Sequence, residues 1–191
     1  MEHRIIISGS GGQGVLFGGI LIARAAMIEG KHVTFFPSYG AEIRGGAAMS
    51  SVVISDEPIG SPVIKTPDSL IILNDVSFRK FIPLAVEKTI IIFNDSIIKS
   101  LDGALPPDYY PISASDISMK KIGDVRTANV VMAGYWAKIL SSVNDPNRNK
   151  KNPPLRIESL EAACLAVSKT PAGGALNKKA LYEGYNYNGK I

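Results

Sequence analysis

Residues 4–36 read RIIISGSGGQGVLFGGILIARAAMIEGKHVTFF, and their pattern decides the fold class. Ile5, Ile6 and Ile7 form a continuous β-branched run from Arg4 to Ser8, the composition of a strand covered on both faces. A glycine cluster, Gly9–Gly14, follows. Val15–Glu29 then predicts a helix that ends at Gly30, a residue suited to the left-handed position after a helix. Gly18 and Gly19 inside that helix each cost about 1 kcal/mol against alanine, so the helix is expected to pack closely on a neighbour. Val33–Phe36 predicts a second strand and completes a βαβ unit.

Working outward, strands are predicted at Ala48–Ser55, Leu70–Leu73 and Thr89–Phe93, with an edge strand at Tyr109–Ile112 marked by its prolines. A helix is expected over Ser77–Glu87, opening on Ser77 as its cap, and another over Ala128–Val143. Ile157, Leu160, Cys164 and Val167 recur at helical spacing. Pro171–Ala175 reads as a flexible break, with Asn177 capping a last short helix. Strands alternating with helices predict an α/β, three-layer, Rossmann-like, mostly parallel sheet with helices on both faces and a helical C-terminal part. The 191 residues are read as one domain, 1–191, with a surface linker at 144–154 and a helical extension at 155–191.

Composition excludes several classes. The net charge of +4 comes with no basic stripe or set of stacking aromatics, so nucleic acid is not expected. Cys164 is the only cysteine, and an iron–sulfur cluster needs about four thiolate ligands. With His3 and His32 the only imidazoles, no metal site is expected. No apolar run approaches the roughly 20 residues of a membrane span, and the N-terminus shows no signal-peptide pattern; a cytoplasmic location is expected. Trp136, Tyr135 and Cys164 read as core or interface residues.

Gly9, Gly11 and Gly14 satisfy G-x-G-x-x-G between a strand and a helix, the context of a dinucleotide fingerprint. That fingerprint also expects an acid at the end of the second strand, where this chain has Phe36, Pro37 and Ser38. Gln13 is foreign to it as well. Three readings stand open for the loop: a dinucleotide site, a tight structural turn, or a surface presented to a partner or another anion. A second loop, Ser38, Tyr39, Gly40, Ala41, Glu42, Ile43, Arg44, Gly45 and Gly46, follows the second strand. Its arginine beside paired glycines can present a guanidinium fork to a carboxylate or phosphate, or can pair with Glu42 or a partner chain.

The stretches SGSGGQGVLFGGILIARAA (residues 8–26) and SYGAEIRGGAAMSSVVISDEPIGSP (residues 38–62) together resemble the gamma subunit or domain of 2-oxoacid:ferredoxin oxidoreductases. PDSLIILND, IIIFNDSI, the Asn-bearing GDVRTANVVMAGYWAKIL and the tail ALNKKALYEGY continue the likeness. Asn94-Asp95-Ser96 departs slightly from the family pattern. The resemblance implies a Rossmann-like subunit with no catalytic residue and no cofactor of its own. Thiamine diphosphate, magnesium and iron–sulfur clusters would sit on partner alpha, beta and ferredoxin-like delta subunits, and coenzyme A would be a substrate of the complex. Gly9, Gly11, Gly12, Gln13 and Gly14, with Ser38, Tyr39, Gly40, Glu42, Arg44, Gly45 and Gly46, would then serve coenzyme A binding or subunit contact. The second loop is similar to the 2-oxoglutarate and branched-chain branches. The isolated chain is expected to be inactive and able to self-associate. The rival readings are a stand-alone nucleotide- or coenzyme-A-binding module and an NAD(P)-dependent oxidoreductase.

Overall fold

The computed structural model describes residues 1–38, 47–99, 108–142 and 154–189. Six strands form one sheet in the order β2-β3-β1-β4-β5-β6, comprising β1 (Glu2–Ser10), β2 (His32–Ser38), β3 (Ala47–Ser55), β4 (Ser69–Ile72), β5 (Ile90–Asn94) and β6 (Tyr109–Ile112). β1, β4, β5 and β6 pair in parallel. β3 lies between β1 and β2 and is antiparallel to both. The expected mostly parallel α/β sheet is therefore present, but the simple βαβ unit is not. β1 and β2 run the same way without touching, and α1 (Val15–Ile28) carries the chain across the strand between them.

Two apolar layers cover the sheet. On one face α1, α3 (Ala114–Ile117), α4 (Ala128–Ser142), α5 (Ile157–Val167) and α6 (Pro171–Tyr185) enclose a core that includes Ile5, Ile7, Leu21, Val52, Ile92, Trp136 and Leu160. On the other face α2 (Asp75–Phe81) sets Phe78 and Phe81 against Ile6, Leu70, Ile72 and Ile91. Tyr135 and Trp136 are core residues, as the sequence suggests, and the Trp136 indole N–H donates to Ser69 Oγ at 3.0 Å. Burial pushes the Cys164 thiol up to about 12, as expected of a packed small hydrophobe. Tyr109–Ile112 is an edge strand, as its proline predicts.

Four local expectations are corrected. α2 is capped by Asn74, whose Oδ1 accepts the Ser77 N–H at 2.9 Å, so Ser77 lies inside the helix. The helix does not reach Glu87: a 3-10 turn at Ile82–Leu84 replaces it, because Pro83 has no N–H to continue the α ladder. Pro171–Ala175 is the first turn of α6 and not a break. Pro171 suits the first helical position, and Thr170 Oγ1 accepts the Gly173 N–H at 3.1 Å. Asn177 accordingly caps nothing and donates to Ser168 Oγ at 3.1 Å. Of the expected linker at 144–154 only Pro154 lies within the described residues.

Glycines set how closely the helices approach. α4 and α6 meet backbone to backbone: a Cβ at Gly134 would overlap the Leu181 carbonyl, and one at Gly184 the Val131 carbonyl. In α1 the two glycines differ. A Cβ at Gly19 would stand 2.7 Å from the Phe35 ring and 2.8 Å from Ser50, whereas at Gly18 its nearest neighbour would be Ile7 at an ordinary 3.6 Å. The close packing expected of both belongs to Gly19. Gly19→Ala is predicted to destabilise the chain by about 1–3 kcal/mol through overpacking, and Gly18→Ala to be neutral or stabilising by up to about 1 kcal/mol. Urea unfolding of the two variants checks the contrast; equal midpoints would contradict it.

Candidate functional site

The parallel strands all deliver their carboxyl ends to one edge, and the loops there carry the residues singled out in the sequence. Gly9 and Ser10 end β1. Gly12 and Gly14 then take the left-handed conformation, with φ of 89° and 72°. This lets the chain turn sharply into α1 at a cost that a side chain would raise. The register of β1 with β3 sets Ser10 opposite Ala47 and Gly9 opposite Ala48, and β2 with β3 sets Ser38 opposite Met49. Ser38 and Ala47, the residues flanking the second motif, therefore both stand at the edge that holds the glycine loop. Tyr39, Gly40, Glu42, Arg44, Gly45 and Gly46 themselves lie outside the described residues.

Three side chains fix the glycine loop from two sides. Gln13 folds back under it: Oε1 accepts the Ser10 N–H at 2.7 Å, and Nε2 makes a long contact of 3.5 Å with the Leu73 carbonyl. Asn74 Nδ2 donates to the Ser10 hydroxyl. From the other side Asn129, the first-turn residue of α4 and 4% exposed, donates from Nδ2 to the Gly14 carbonyl at 2.6 Å and accepts the Val130 N–H at 2.7 Å. A Cβ at Gly14 would collide with that amide. Asn129 was legible only as part of the Asn-bearing helix; its partner lies 115 residues away.

Beside this clamp opens a cleft of about 390 Å³, lined by Gly12, Gly14, Phe17, Asp124, Arg126, Thr127, Asn129, Gly173, Leu176 and Asn177. It lies where α1, α4 and α6 begin, and helix amino ends carry partial positive charge. Arg126 stands at its mouth with an 81% exposed side chain. Its Nε and Nη2 donate to Asp124 Oδ1 and Oδ2 at 2.9 and 2.7 Å, and this hydrogen-bonded pair holds the Asp124 carboxyl below the usual carboxylate range. The cleft offers apolar walls, backbone edges and a guanidinium already paired with Asp124, so an anion-bearing ligand or chain segment would meet chiefly the helix amino ends. Its described lining residues include no paired general acid and base.

On the far side of the same edge, Asn94 is fully buried and exchanges bonds with Ser115, through Nδ2 to Ser115 Oγ at 2.8 Å and through Oδ1 from the Ser115 N–H at 3.3 Å. Asp95 accepts the Ser113 hydroxyl at 2.6 Å. The Asn94-Asp95-Ser96 loop thus holds β5 to the segment that follows β6. Among the described residues no group of three or more His, Cys, Asp and Glu is placed to hold a metal ion, and no helix is long and apolar enough to cross a membrane.

A family model described as pyruvate ferredoxin/flavodoxin oxidoreductase matches residues 4–187. The chain belongs to that family. It is 41% identical to the ketoisovalerate oxidoreductase subunit VorA of Methanothermobacter thermautotrophicus, over 70% of this chain and 27% of that protein. It is 34% identical to the 2-oxoglutarate synthase subunit KorC of Archaeoglobus fulgidus, over 73% of this chain and 71% of that one. The chain thus spans about a quarter of the VorA relative and most of the KorC relative. The crystal structure of the keto/oxoacid ferredoxin oxidoreductase gamma subunit of Geobacter sulfurreducens superposes with a TM-score of 0.79 at 26% identity, over 97% of this chain and 95% of that chain. As a gamma-type member of the oxidoreductase family, the chain has homologues that are subunits of multi-subunit enzymes.

Because Asn129 is the contact that ties α4 to the glycine loop, Asn129→Ala is predicted to destabilise the chain by about 1–3 kcal/mol. It should also speed amide exchange at residues 11–15 more than at β4 or β5. Exchange at those residues as slow as in the wild type would show that the loop is held by other means.

Proposed function

We propose that this chain is the non-catalytic gamma subunit of a cytoplasmic 2-oxoacid:ferredoxin oxidoreductase, and that it serves the enzyme with the carboxyl edge of its sheet. The complex converts a 2-oxoacid and coenzyme A to acyl-CoA and carbon dioxide, and the two electrons released reduce ferredoxin. Thiamine diphosphate with magnesium, and the iron–sulfur clusters, reside on the alpha, beta and ferredoxin-like delta subunits. A cluster has no home in this chain, whose single cysteine is buried in an apolar core; about four thiolates are needed.

The observation that carries the reading is where the flanks of the second motif stand. The glycine loop and both flanks of the Ser38–Gly46 motif stand at one edge, although the motifs are separate in sequence. Open α/β sheets present ligands at that edge. The cleft beside it, with Arg126 and three helix amino ends, suits the phosphates of coenzyme A or an acidic segment of a partner. Gly9, Gly11, Gly12, Gln13 and Gly14, with Ser38, Tyr39, Gly40, Glu42, Arg44, Gly45 and Gly46, are assigned to this coenzyme-A or partner face. VorA supports permanent assembly, because there a homologous unit is only part of a longer chain. The identities to VorA and KorC favour a branched-chain 2-oxoacid or 2-oxoglutarate as the substrate.

The test is anaerobic affinity isolation of the tagged chain from its native cells, with the eluate assayed for coenzyme-A-dependent oxidation of several 2-oxoacids using a viologen acceptor. Thiamine-binding and cluster-binding subunits are expected in the eluate, with activity that the isolated chain lacks. A chain recovered alone and without activity would instead indicate a stand-alone binding module.

A further inference from the structure

We draw no further inference here: the strongest candidate, the surface patch formed by the exposed Ile20 and Met27 on the outer side of α1 and by the terminal strand β2 beneath that helix, carries nothing, because nothing in the structure shows what covers it.

Discussion

The conformation of the chain depends on how the glycine turn after β1 is held. Gly14, at φ 72°, has no space for a side chain because the Asn129 amide occupies it and binds the Gly14 carbonyl. That one hydrogen bond joins the start of α1 to the start of α4. α4 in turn lies backbone to backbone on α6, and α5 packs with Leu160 and Cys164 in the same core. Gln13 closes the opposite side against β4. The turn is therefore held by contacts within the chain itself, which leaves it less conformational freedom to lose on binding.

This explains why a fingerprint spacing does not imply a fingerprint function. The glycines serve the turn and the close approach of helices. The side chain among them, Gln13, closes the turn from within by accepting the Ser10 N–H at 2.7 Å. The cleft that remains lies on the helical side of the loop, between α1, α4 and α6, with Arg126 at its mouth.

The sequence made some of this legible and hid the rest for identifiable reasons. The continuous isoleucine runs of β1 and β5 and the long apolar helices announced an α/β sheet with both faces covered. Strand order was hidden, because Val33–Phe36 and Ala48–Ser55 carry the same β-rich composition whichever neighbours they choose, and β3 inserts between β1 and β2. Caps were misread where two residues compete. Asn74 holds the cap that Ser77 promised, and Thr170 with Pro171 starts a helix through the Pro–Ala–Gly–Gly stretch that reads as a break. Asn129 and Gly14 are 115 residues apart, a pairing that no local pattern encodes. The second motif is recognisable by resemblance, and only the register of the strands beside it brings its flanks, Ser38 and Ala47, to the edge.

The central claim is that the carboxyl edge of the sheet is the face this chain uses in its enzyme. Hydrogen exchange compared between the isolated chain and the assembled complex tests it most directly. The account predicts that assembly, with or without coenzyme A, slows exchange at residues 11–14 and 124–129 and leaves the opposite edge, at residues 2–4, 55–57 and 67–69, unchanged. Protection confined to that opposite edge, with the glycine loop and the Arg126 cleft exchanging as freely as before, would contradict it.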